Sequence, residues 1–139
     1  MDRDDLGFLL AKAVQRWNEL LHERFRAAGG GEVRPSYGSI LVPLFEEDGL
    51  RMGELARRAR LSKQTMTTMV RLLERDQLVR RERDPEDGRA FRIVLTAKAR
   101  EFEPVAEQTL AELGALAQKR LGEPRLAELK HDLKEWIDS

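Results

Sequence analysis

The sequence contains no cysteine, which excludes disulfides, thiolate metal sites, cysteine nucleophiles and thiol-based redox sensing. It has only two histidines, His22 and His131, so a zinc-sensing mode is not expected. There is no glycine-rich phosphate loop, no nucleophile elbow and no metal-spaced histidine pair. That inventory gives an enzyme nothing to work with, and no cofactor or metal is expected. The acidic cluster Glu46-Glu47-Asp48 lacks partner residues at ligand spacing and reads as a solvent-facing surface. No apolar run approaches the roughly 18 residues that span a bilayer, so no membrane association is expected. The opening stretch Met1-Asp2-Arg3-Asp4-Asp5 is acidic, unlike a secretory or organellar leader. A soluble, cytoplasmic protein is therefore expected.

What is present is charge and a sufficient core. The 139 residues are 41% hydrophobic and 36% charged, enough for one compact, helix-rich domain with helical extensions. The net charge of zero conceals an asymmetry. Residues 1–50 carry 6 Lys/Arg against 9 Asp/Glu, residues 51–100 carry 14 against 7, and residues 101–139 carry 5 against 9. A basic middle between acidic ends suits nucleic-acid contact if it falls on a suitable motif, and solvated surface otherwise.

Periodicity organises the chain. Leu6, Leu9, Leu10, Ala13, Trp17, Leu20, Leu21 and Phe25 recur at three- and four-residue steps and predict a long helix, ended by Gly29-Gly30-Gly31. Pro35-Ser36 opens a second helix with Tyr37, Ile40, Leu41, Leu44 and Phe45 on one face, and with a bend expected at Pro43. Asp48-Gly49 is a turn. Met52, Leu55, Ala56 and Ala59 make a short helix, and Ser62 caps a further one that turns Met66, Met69, Val70 and Leu73 inward. The runs 78–83 and 91–95 flank Asp84-Pro85-Glu86-Asp87-Gly88 and predict a β-hairpin. Thr96 caps a long helix carrying Phe102, Val105, Thr109, Leu113 and Leu116, with Pro104 near its start. After Gly122-Glu123-Pro124, a final helix carries Leu126, Leu129, Leu133, Trp136 and Ile137.

Two short helices, a tight turn and a basic hairpin make a winged helix-turn-helix. A helix is narrow enough to enter the DNA major groove, where its outward side chains meet base edges. On the helix from Lys63 to about Arg75, the outward residues are Lys63, Gln64, Thr67, Thr68 and Arg71, with no acid before Glu74. Gln can pair with adenine, Lys and Arg with guanine or phosphate, and a threonine methyl can touch the thymine methyl. Ser62, at the helix start, can cap it and face a phosphate. Arg80, Arg81 and Arg83 on the hairpin could contact backbone or simply form a solvated strand face.

Residues 52–96, MGELARRARLSKQTMTTMVRLLERDQLVRRERDPEDGRAFRIVLT, resemble the core of the MarR family, the multiple-antibiotic-resistance regulators. The resemblance rests on LARRARLSKQTMTTMVRLLE, on LVRRERDPEDGRA with its Asp87-x-Arg89 wing signature, and on VLT entering a long helix. It implies a mainly α fold with a small β-hairpin wing, a winged helix-turn-helix joined to a helical dimerisation region. It also implies a sequence-specific DNA-binding regulator, usually a repressor, on pseudo-palindromic double-stranded operators. Arg89 would enter the minor groove from the wing tip, Asp87 would help hold the wing, and Ser62, Arg81 and Arg83 would meet the backbone; Asp87 with Arg89 could also be only a turn-stabilising ion pair. The sequence departs from the family at three positions where glycine is frequent: Arg60, Gln77 and Ala99. Gln77 must either take a left-handed conformation, at about 1–2 kcal/mol, or let its helix end differently.

The expected organisation is a dimerisation helix in 1–28, a DNA-reading lobe in 34–96 with recognition helix 63–75 and wing 78–95, and dimerisation helices in 97–139. The leucine-rich stripes of the first and last helices exceed what a small core can cover, so a homodimer is expected unless the two helices simply pack on each other. Family members respond to small aromatic or anionic molecules held between the helical region and the reading lobe. Trp17 and Tyr37 are the candidate lining residues, or else ordinary core aromatics, and Arg16 or His22 could meet an anion. A winged-helix module for protein association, without DNA contact, is the competing reading.

Overall fold

The computed structural model describes residues 3–139; Met1 and Asp2, part of the acidic stretch read above against a leader, lie outside the described residues. Six α-helices and three strands follow in the order α1 (Leu6–Ala27), α2 (Gly38–Glu46), β1 (Leu50–Arg51), α3 (Met52–Ala59), α4 (Lys63–Arg75), β2 (Val79–Arg83), β3 (Phe91–Leu95), α5 (Ala97–Leu121) and α6 (Glu123–Ile137). Among the described residues no helix is long and apolar enough to cross a membrane.

Asp5 caps α1, its carboxylate accepting from the Phe8 N–H at 3.2 Å. The glycines after α1 answer a packing demand as well as a chain reversal. Gly29 lies at φ +86°, and a Cβ on Gly30 would come within 2.7 Å of the Phe102 ring. That close approach lets Phe25 of α1 and Phe102 of α5 meet edge to face, with centroids 4.9 Å apart. The second helical segment opens more tightly than expected, with a 3₁₀ turn over Pro35–Tyr37 before α2 begins. Proline's fixed φ suits that first turn, and its missing N–H costs nothing there. Both Pro43 and Pro104 lie inside helices that continue past them.

The sheet has three strands, not the hairpin alone. β3 is central, with β2 antiparallel on one side (Val79 opposite Leu95, Arg81 opposite Ile93) and β1 antiparallel on the other (Leu50 opposite Ile93). β1 is two residues long, too short for a period-two pattern to announce it. The core gathers under α2, α3, α4 and the sheet, where Tyr37, Ile40, Leu44, Leu55, Met66, Val70, Leu73, Leu78 and Ile93 are almost fully excluded from solvent. It continues through Phe25 and Phe102 to Leu113 of α5. α6 contributes no buried residue.

Candidate nucleic-acid interface

The turn between α3 and α4 is built around an unusual backbone. Arg60, the residue that ends α3, is left-handed (φ 55°, ψ 42°), and the following Leu61 N–H donates to the Ala56 carbonyl at 3.1 Å. A side chain in that conformation carries strain that glycine would not. Here the side chain is engaged: the Arg60 guanidinium donates to the Ile137 carbonyl at 2.7 Å and to Asp138 Oδ1 at 2.8 Å. Gln77 is the other non-glycine residue at positive φ (61°) among the described residues. Its carbonyl accepts from Thr96 Oγ1 at 2.7 Å, so the left-handed ending expected as one of two outcomes is the one adopted. Ala99 is fully buried in the first turn of α5.

Ser62 caps α4, its hydroxyl accepting from the Thr65 N–H at 3.1 Å, while its own proton goes to Thr65 Oγ1 at 2.9 Å. Met66, Val70 and Leu73 anchor α4 in the core, with Met69 and Leu72 half-buried against it. That fixes the outward side: Lys63, Gln64, Thr68 and Arg71 are exposed and Thr67 is half-buried. The side chains of Lys63, Gln64 and Arg71 make no hydrogen bond or ion pair among the described residues. Lys63 and Gln64 in the electropositive first turn and Arg71 two turns further along leave free donors on one side of a well-anchored helix, a surface suited to an anionic, edge-presenting partner. The first acid on this helix, Glu74, is occupied by Arg81 at 3.1 Å.

The wing is shaped by two aspartates with different tasks. Asp87 Oδ1 accepts from the backbone N–H of Arg89 at 3.1 Å, and its carbonyl accepts from Ala90 at 3.0 Å. It therefore shapes the tip through the backbone; its hydrogen bond is to the Arg89 N–H, and the guanidinium of Arg89 stays free among the described residues and exposed. Asp84, which sequence reasoning passed over, holds the base of the wing. It is buried and accepts from Arg51 Nε at 2.7 Å and from the Glu86 N–H at 2.8 Å. The Arg51 hydrogen bond, followed by the Glu86 N–H, holds its carboxyl below the ordinary value. A sequence signal existed, since an aspartate two residues before a turn N–H is a common backbone acceptor. Its arginine partner, 33 positions upstream, was not legible. Arg83 donates to the Gly88 carbonyl at 2.7 Å and lies over the Phe91 ring, and Arg80 pairs with Glu82 at 3.0 Å.

A second group sits at the far end of α4. The Tyr37 hydroxyl donates to Asp76 at 2.5 Å, Arg75 pairs with the same carboxylate at 3.1 Å, and Lys98 Nζ donates to the Asp76 carbonyl at 3.0 Å. The Tyr37 hydroxyl and Arg75 lower the Asp76 pKa, while burial and then Asp76 itself raise that of Tyr37. Tyr37 is thus a core strut, fully buried, and does not line the cavity to which Trp17 belongs. That cavity, about 270 Å³, lies between α1, α2 and α5, with Trp17, Phe25, Phe45 and Phe102 among its walls and Arg34 at its margin. Arg16 instead pairs with Glu19 at 3.3 Å. The acidic cluster of 46–48 is used for pairing, with Glu47 on Arg58 and Asp48 on Arg100.

A three-stranded winged helix-turn-helix with a free cationic and amide face defines a DNA-binding transcriptional regulator. The family model described as MarR family matches residues 35–91. The chain is 30% identical over 118 residues to the HTH-type transcriptional repressor Rv2887 of Mycobacterium tuberculosis, covering 76% of this chain and 85% of that one. It is similar in structure to the PcaV transcriptional regulator of Streptomyces coelicolor, solved in complex with its natural ligand (TM-score 0.82, 21% identity, 100% and 96% of the two chains). A similar likeness holds to the transcriptional repressor CouR bound to a 23-mer DNA duplex (TM-score 0.81, 22% identity, 99% and 98% covered). The chain belongs to the MarR family, whose regulators are non-enzymatic transcription factors.

Proposed function

We propose that the protein is a homodimeric, cytoplasmic repressor that sets the α4 helices of its two copies into major grooves about 34 Å apart on a pseudo-palindromic operator. Lys63, Gln64, Thr67, Thr68 and Arg71 address the bases. Ser62, Arg81 and Arg83 face the backbone, and Asp87 presents Arg89 to the minor groove. The single observation that carries this reading is the unpaired outward set Lys63, Gln64 and Arg71 on a helix whose other side is locked into the core. Residues 1–28 and 97–139 supply the dimer. In support, Leu6, Phe8, Leu9 and Val14 of α1 and Leu129, Leu133, Trp136 and Ile137 of α6 are exposed in the single chain. An almost wholly apolar cleft of about 410 Å³ lies between α1, α5 and α6.

A small aromatic or anionic ligand in the Trp17 cavity would release the repressor by favouring an arrangement in which the reading lobes no longer match the operator. Aromatic walls and the Arg34 cation suit that chemistry, and the ligand-bound PcaV and the repressor name of Rv2887 support it. The test is binding to genomic duplex at two salt concentrations. A steep fall in affinity with salt is expected from phosphate contacts, whereas a winged helix used only for protein association gives almost no slope. Light scattering at micromolar concentration should give the mass of a dimer; a monomer would remove the paired-groove geometry.

A further inference from the structure

On α4, both threonine hydroxyls on the outward side are already committed. Thr67 Oγ1 donates to the Lys63 carbonyl at 2.9 Å, and Thr68 Oγ1 donates to the Gln64 carbonyl at 3.2 Å. A hydroxyl has one proton, so neither can donate to guanine N7 or O6, or to thymine O4, without giving up its bond to the helix. Tetrahedral geometry at Cβ then directs each methyl away from the carbonyl that its oxygen has engaged. Thr68 is exposed and Thr67 half-buried, flanked by Lys63, Gln64 and Arg71, which keep their donors free. The face therefore carries three polar readers with free donors and two threonines that offer the groove a methyl and an acceptor oxygen but no free proton.

We infer that Thr67 and Thr68 read thymine through their methyl groups and not through their hydroxyls. The only apolar group that any base shows in the major groove is the thymine C5-methyl, so a methyl with no donor beside it discriminates thymine from cytosine and from uracil. This rests on the DNA-reading function proposed above and specifies what two positions of that surface recognise. The discrimination is modest, about fourfold in affinity for one buried methyl.

The experiment uses the full chain. Duplexes are selected from a random pool, and each thymine of a recovered duplex is replaced in turn by deoxyuridine, which removes the C5-methyl and nothing else. About fourfold weaker binding is expected at one or more thymines in each half-site. Thr67→Val and Thr68→Val should keep the same sensitivity to deoxyuridine, because they retain the methyls. Thr67→Ser and Thr68→Ser should bind more weakly and lose that sensitivity. If no deoxyuridine substitution matters, or if the serine variants keep that sensitivity while the valine variants lose it, the inference is overturned and the DNA-reading function stands. If no duplex is enriched at all, the DNA-reading function falls and takes the inference with it.

Discussion

Helices α4 and α6 have similar lengths and both carry an apolar stripe, yet the fold treats them in opposite ways. α4 buries Met66, Val70 and Leu73 almost completely and leaves polar groups outside. α6 buries nothing, and leaves Leu133 at 37% and Trp136 at 61% exposure. One helix is finished on its apolar side and lacks a polar partner; the other lacks an apolar one. Amphipathicity alone does not say which face meets the chain's own core, because the stripe is the same signal in both cases. What separates them is the material available: α4 faces α3, β2 and the rest of a closed lobe, whereas α6 packs chiefly along α5.

The comparison can be broken most forcefully by truncating each stripe. Leu73→Ala removes a fully buried side chain and should cost about 2–5 kcal/mol of stability, read as a lower urea midpoint. Leu133→Asp together with Ile137→Asp should leave the helical circular dichroism intact and convert the dimer to monomer in light scattering, weakening association by at least about 2 kcal/mol. If the pair instead unfolds the monomer, α6 belongs to the intrachain core and the contrast with α4 is lost.

The polar side of the contrast is sharpened at the wing. Arg89→Ala should weaken duplex binding by about 1–3 kcal/mol with no change in dimer mass or urea midpoint. Unchanged affinity at moderate salt would remove Arg89 from the interface.

The smallest expected effect concerns how α4 is held at its far end. Tyr37→Phe deletes the hydrogen bond to Asp76 and should cost about 1 kcal/mol at neutral pH. Because Tyr37 and then Arg75 depress the Asp76 pKa, the stability they confer is present above the ordinary aspartate range and is lost as pH falls through the depressed value. The gap between wild type and Tyr37→Phe should therefore be widest near neutrality and narrow on acidification below about pH 4. A gap that stays constant across that window would show that the hydroxyl does not act through the ionised Asp76 carboxylate.

Much of this was legible in the chain itself. The heptad-like stripes, the Ser62 and Thr96 caps and the turn chemistry of 84–88 announce α1, α4, α5 and the wing, because each depends on residues close in sequence. What escaped depends on distant partners. β1 exists because Leu50 finds Ile93, and Asp84 matters because Arg51 reaches it across the sheet. Tyr37, read as a candidate for the effector cavity or else as an ordinary core aromatic, is the latter, and the partner of its hydroxyl, Asp76, stands 39 positions away. Arg60 and Gln77 stand where the family often has glycine, and the chain keeps the left-handed backbone at both. The side chain of Arg60 and the backbone carbonyl of Gln77 each find a partner in another part of the chain.

Asp48 sits where three parts of the molecule converge. Its Oδ1 receives the N–H groups of Gly49 and of Leu95, at the end of β3, and its Oδ2 receives the guanidinium of Arg100 at the start of α5. A single carboxylate thus fastens the sheet to the long helix that leads out of the reading lobe. A change in the angle at which the first turn of α5 leaves the sheet must therefore pivot on this side chain or break at least one of its three bonds.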